Sequence, residues 1–224
     1  TGCSGVNMLG SGAGTLASDV RYSNILGTNA GSGVIGSFEN DLIGYQAGTS
    51  ISTGDVNVGI GFSTLSNMTT GQTNVAIGAY TGASITSGQK NVAIGYTAMN
   101  YLTDGTDSVA IGFDAGEYAT GSYNTFVGSE AGQGGQASAP YSSGERSTGV
   151  GYEALKSQTT GGRNTAFGYR AGMAITTATN NVLLGGGAGD DLTTGGANVI
   201  IGADADSQLT TDTRVTSIGY VAGQ

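Results

Sequence analysis

The sequence predicts an all-β fold, a parallel β-solenoid (β-roll) of about thirteen coils of seventeen residues. Two observations carry this. The pentapeptide Asn-Val-Ala-Ile-Gly stands at residues 74–78 and again at 91–95, seventeen apart. Extending that register places glycines at Gly10, Gly27, Gly44, Gly61, Gly78, Gly95, Gly112, Gly128, Gly151, Gly168, Gly185, Gly202 and Gly219. Ten of the twelve intervals are seventeen, one is sixteen, and the one between Gly128 and Gly151 is twenty-three.

The elements of one coil follow in order when each of these glycines is position zero. A short strand precedes it, as in Asn91-Val92-Ala93-Ile94, with Ile, Leu, Val or Phe always at minus one. The glycine makes a corner, and a second extended piece such as Tyr96-Thr97-Ala98 is expected after it, with Ala at plus three in eleven coils and Thr in two. A further glycine at plus four and a Thr-Thr-Gly type of turn close the coil. The 43 glycines are therefore mostly repeat punctuation. They do not fall every third residue as in collagen, and regularly recurring Val, Ile and Leu argue against disorder. A helical repeat fails because glycine would fall in each helix interior at about 1 kcal/mol relative to Ala. Stacked coils at about 4.8 Å imply a rod on the order of 60 Å long, one repeat domain over residues 1–224.

Alternation along a strand assigns its faces. The aliphatic column at minus one (Leu26, Ile43, Ile60, Ile77, Ile94, Ile111, Val127 and their equivalents) is expected to form the core, together with minus three, plus one and plus three if the extended phase survives the corner. Position minus two should then face outward, yet it is uncharged. Leu42, Ala76, Ala93, Ala110, Phe126, Ala166, Leu183 and Ile200 are accordingly expected to pack against another copy of the chain, most simply about a threefold axis. The Asn column at minus four (Asn40, Asn57, Asn74, Asn91, Asn124, Asn164, Asn181, Asn198) is expected to stack amide on amide and to cap the turn backbone. The aromatic column at plus one (Tyr45, Phe62, Tyr96, Phe113, Tyr152, Tyr169, Tyr220) reads as packing, or as a stacking platform for sugars if the rings are exposed.

The segment 107–112, Asp-Ser-Val-Ala-Ile-Gly, with Asn-Val-Ala-Ile-Gly one coil earlier, resembles the head repeats of trimeric autotransporter adhesins. The Tyr-x-Ala-Gly and Thr-Thr-Gly-x-x-Asn contexts are similar to repeats of phage tail fibres. The resemblance covers essentially the whole chain and implies a left-handed β-roll, assembled as a trimer and displayed outside the cell on a bacterial or virion surface. The adhesin head repeat is usually shorter, near fourteen residues, and neither a heptad stalk nor a membrane anchor is recognised in this sequence.

Charge and residue chemistry narrow the function. Sixteen acidic against seven basic residues give a net charge of −9, which disfavours nucleic acid and anionic membranes as partners. No apolar run approaches a membrane span. With no histidine and one cysteine, Cys3, the usual base and nucleophile pairs and His/Cys metal sites cannot be assembled, and the carboxylates that a glycosidase would need are scattered, with Asp114, Glu117, Glu130 and Glu153 at changing offsets, so no enzyme and no cofactor are expected. Asp204, Asp206 and Asp212, near Asp190 and Asp191, form the densest carboxylate group and are the candidates for a hard cation such as calcium. The long interval supplies an insertion at about 133–143, expected to project from a coil edge, and Gln136, Pro140 and Tyr141 within it are the candidates for receptor contact, whether glycan or protein. Paired threonines (Thr69-Thr70, Thr159-Thr160, Thr176-Thr177, Thr193-Thr194, Thr210-Thr211) should align along one edge, which keeps an ice-binding reading open. No polar cap is recognisable at either end of the repeat, so end-to-end stacking into a filament is a further expectation. The leading one is an adhesive or structural fibre segment.

Overall fold

The computed structural model describes residues 4–14, 20–135 and 141–223. Cys3, Gln136 and Pro140 lie outside the described residues. The chain divides into two compact units, Thr1–Ser108 and Val109–Gln224. The first carries the strands β1 (Asn7–Leu9), β2 (Asn24–Leu26), β3 (Asp41–Ile43), β4 (Val58–Ile60), β5 (Val75–Ile77) and β6 (Val92–Ile94). The second carries β7 (Val109–Ile111), β8 (Thr125–Val127), β9 (Thr148–Val150), β10 (Thr165–Phe167), β11 (Val182–Leu184), β12 (Val199–Ile201) and β13 (Thr216–Ile218). Within each unit the strands pair in parallel in chain order, each residue opposite its equivalent one coil on, as in Val75↔Val92 and Thr165↔Val182. The described residues contain no helix. The protein is an all-β parallel β-solenoid, as its repeat predicts.

Only minus three to minus one form strand. The second extended piece is replaced by a run of turns, because the chain takes positive φ at plus two and plus four of every coil (Thr97, φ 53°; Met99, φ 52°) and again at minus five (Lys90, φ 56°). These turns keep the stacking by hydrogen bonds to both neighbouring coils. Gly78 N–H donates to Ile60 O at 2.8 Å on one side, and Gly82 N–H to Ala98 O at 2.9 Å on the other. Backbone polar groups are thereby satisfied without continuous strand. The zero-position glycine is required twice over. Its φ lies near 135°, outside the range of residues with a Cβ, and a Cβ on Gly10 would stand 2.5 Å from the carbonyl oxygen of Gly27 in the next coil.

The assignment of the two strand faces is reversed. Leu42, Ala76, Ala93, Ala110, Phe126, Ala166, Leu183 and Ile200, expected at an interface between copies, are all buried inside the coil. The minus-one column, expected as core, is on the outer surface, with Ile43, Ile77, Ile111, Phe167 and Leu184 exposed. The physical reason is the corner. Positive φ at plus two and plus four breaks the extended phase, so the Ala at plus three points inward along with minus two rather than minus one. The core is completed by a column at plus seven (Ile51, Met68, Ile85, Leu102, Ile175, Leu192), all buried.

Residue sizes inside the coil are reciprocal. Leu42 faces Gly48, Phe126 faces Gly132 and Leu183 faces Gly189, whereas Gly59 is matched with Leu65, Ala93 with Met99 and Gly149 with Leu155. A Cβ on Gly48 would stand 2.7 Å from both methyl groups of Leu42. In these coils minus two and plus four share one volume, filled from one side or the other, whereas at Ala76/Gly82, Ala110/Gly116 and Ala166/Gly172 both are small and side chains at plus seven and from neighbouring coils, such as Ile175 and Leu183 at Gly172, close the gap.

The Asn column behaves as expected. Asn57 Nδ2 donates to Asn40 Oδ1 (3.0 Å) and to Gly71 O (2.9 Å), and the pattern repeats at Asn74 and Asn91. In the second unit Asn181 bonds Asn164 Oδ1 and Gly195 O, both at 3.0 Å.

Candidate binding surfaces

The strands present minus three and minus one outward and the corner adds plus one, so each coil contributes three outward residues to one face of the sheet. In the first unit these include Val58, Val75 and Val92; Leu26, Ile43, Ile60, Ile77 and Ile94; and Tyr45, Phe62 and Tyr96. The three columns hold a single charged residue in either unit, Asp41, whose Oδ1 accepts from Asn24 Nδ2 at 2.6 Å. The aromatic rings are half-exposed and contact one another from coil to coil. Tyr45 and Phe62 stack at 5.1 Å and 14°, and Tyr80 continues the row edge-on, 5.1 Å from Phe62 and 6.2 Å from Tyr96. Tyr80 stands at plus two, where it replaces a ring missing at Ala79. In the second unit Tyr152 and Tyr169 stack at 5.5 Å.

The insertion is bracketed by intact coil pairing. Gly134 N–H donates to Lys156 O at 2.9 Å before it, and Ser142 N–H to Tyr118 O at 2.9 Å after it. The extra residues are therefore confined between 135 and 142, across which Gly135 N–H reaches Ser142 Oγ at 3.1 Å. Tyr141, the described member of the three receptor candidates, stacks on Tyr118 at 6.2 Å and 14°. Just past the insertion the second unit has a groove of about 210 Å³. Arg146 and Arg163 stand in it at the same position of successive coils, with Ser143, Thr160 and Thr179 around them. The pair makes no motif in the sequence, because the column that holds it carries Gly, Tyr, Glu, Val, Thr, Lys, Asp, Asn, Ala and, at Arg214, a third Arg in other coils.

A second group of charges is paired within itself. Lys156 Nζ bridges Glu130 and Glu153, the latter at 2.7 Å, and these two carboxylates hold its ammonium above its ordinary pKa. The charge of Glu153 also pushes the Tyr152 hydroxyl up. Arg170 Nε lies 3.7 Å from Glu153. The calcium candidates are not brought together. Asp206 turns into the coil, buried with Oδ2 unpartnered, while Asp204 and Asp212 are exposed. Among the described residues no group of three or more acidic or cysteine side chains could hold a metal ion. The paired threonines do align, but in four of the five pairs the first hydroxyl donates to the next coil, as Thr69 Oγ1 does to Thr86 O at 3.2 Å and Thr193 Oγ1 to Thr210 O at 2.9 Å.

No family model matches the chain, and neither a curated protein nor a solved structure matches it.

Proposed function

We propose that this chain is a segment of an extracellular fibrous adhesion or structural protein, of the kind displayed on a bacterial or virion surface. It works without catalysis, as a homo-oligomer whose copies pack through the outer face of the sheet, most simply as a trimer. The observation that carries this reading is the nearly uncharged outer face, an unbroken apolar column at minus one flanked mostly by Val or Thr at minus three and largely by aromatic rings at plus one. Apolar surface of that extent is unfavourable in water by about 25 cal/mol per Å². Its natural cover is a second copy, because an in-register parallel stack repeats every column at one spacing and an identical stack meets it with matched periodicity. A stable interface needs about 800 Å² per partner, roughly a tenth of the 8990 Å² that the chain exposes. The resemblance of the pentapeptide to adhesin head and tail-fibre repeats supports the same reading.

The test is the mass in solution of the wild type and of the double variant Ile43→Lys/Ile77→Lys. Both side chains are exposed, so the coil should fold unchanged by circular dichroism. The wild type is expected as an oligomer by sedimentation and the variant as a monomer. A wild type that is monomeric at tens of micromolar, or a variant of unchanged mass, would refute the proposed interface.

A further inference from the structure

We propose that the groove holding Arg146 and Arg163 binds the carboxylate of an acidic saccharide. This rests on the adhesive reading but uses a different surface, the turn that precedes the strand rather than the outer face of the sheet.

The charge distribution is the first argument. Only seven residues of the chain are basic, and two of them stack here one coil apart. Like charges placed so destabilise each other unless an anion lies between them. Arg146 is ion-paired with its chain neighbour Glu145 at 3.1 Å and also lies over the Tyr123 ring with its guanidinium 5.3 Å from the centroid. Arg163 is exposed and, like Lys90 and Arg214 in the same column, has no ion-pair partner among the described residues, but it alone of the three stands beside a second arginine. The groove therefore carries one unbalanced positive charge on a planar guanidinium fork, which fits a carboxylate bidentately. Glu145 in the lining repels a dianion, so a phosphate group is disfavoured relative to a carboxylate.

The rest of the lining identifies what bears the carboxylate. Ser143, Thr160 and Thr179 supply hydroxyls that can both donate and accept, the pairing a ring of sugar hydroxyls requires. Gly162 also lines the groove, and a Cβ there would stand 2.7 Å from Glu145 O in the coil before it. At about 210 Å³ the groove is smaller than the ~300 Å³ at which drug-sized sites begin, which suits a single sugar ring.

The column itself provides a variant that should fold. Asn180 occupies the position of Arg163 one coil later at φ 61°, so Arg163→Asn places a residue the stack already accepts. Glucuronate and N-acetylneuraminate, the two sources of a sugar carboxylate, are titrated into the oligomeric protein and followed by amide NMR shifts, with glucuronate methyl ester, glucose and acetate as controls. At least one acid should bind at millimolar concentration, shifting Thr160 and Thr179. Arg163→Asn and the methyl ester should each weaken binding about tenfold, as expected for a lost charge-assisted pair, and Arg163→Lys by less. Binding should also fall with added salt. The proposal is overturned if neither acid binds, if ester or glucose binds equally, if acetate binds as well as the sugars, or if Arg163→Asn binds like wild type. The oligomer mass measured on the same samples keeps failure here distinct from failure of the proposed interface.

Discussion

At the residue scale the buried amides show why a polar side chain can recur in so narrow a core. Asn74 donates through Nδ2 to Asn57 Oδ1 (3.1 Å) and Gly88 O (2.8 Å), and its Oδ1 accepts from the N–H (3.0 Å) and Nδ2 (3.1 Å) of Asn91. Every valence is used, so the amide is buried without an orphan. Replacing it should strand the Gly88 carbonyl and two donors of Asn91 together. Asn74→Ala is expected to cost about 3 kcal/mol, read as a lower urea midpoint with an unchanged slope. Asn74→Ser should cost less, because Ser108 already holds that position in the next coil but one. This column was legible in the sequence, since an amide repeated at the coil period has only its own copies and the turn backbone for partners.

At the scale of one coil, minus two and plus four behave as halves of a single side chain. Gly48→Leu should overpack against Leu42 and cost about 1 to 3 kcal/mol or more. The double variant Leu42→Gly/Gly48→Leu, which copies the Gly59 and Leu65 arrangement, should recover much of that loss. Thermal unfolding of the two single variants and the double measures the coupling, and additive losses would show that the two positions do not share a volume. The inversion of the faces belongs to this scale. Alternation says which residues share a face but not which face is inside, and the large Ile beside a small Ala made minus one look like core. The reciprocal sizes of Leu42/Gly48 and Gly59/Leu65 were visible in the sequence and would have decided it. The phase shift at the corner was not, because the residues held at positive φ there, among them Thr97, Met99 and Leu155, are not ones that favour it.

At the scale of the whole chain the dominant quantity is the charge of −9. Partial burial raises the pKa of Glu117 above its ordinary 4.5, and burial followed by the nearby Asp191 raises that of Asp190 above 3.8. Both carboxyls are thus easier to protonate folded than unfolded. Their ionised forms oppose folding at neutral pH, and stability from them rises as pH falls through the folded-state values and levels off below the ordinary ones. Glu117→Gln should accordingly raise the urea midpoint slightly at pH 7 and flatten its rise on mild acidification, whereas an equal rise in wild type and variant would assign the effect elsewhere. The class of fold and the place of the insertion were legible at this scale, from the glycine register and its one long interval. The groove was not, because its two arginines acquire meaning only when seventeen residues of chain bring them side by side.

The glycine column has a consequence for how such a chain can change over generations. What forbids a side chain at Gly44 is the backbone of Gly61 as well as its own φ, so each coil is constrained by the next. A tandem duplication of seventeen residues inserts a coil that already satisfies both neighbours, and the array can lengthen or shorten by whole coils without redesign. Any other change in length must be accommodated outside the strands, as with the residue missing between Gly112 and Gly128 and the extra residues between Gly128 and Gly151. Insertions of that kind are where new recognition can arise at little cost to the stack, and the groove with Arg146 and Arg163 lies just past this one in the chain.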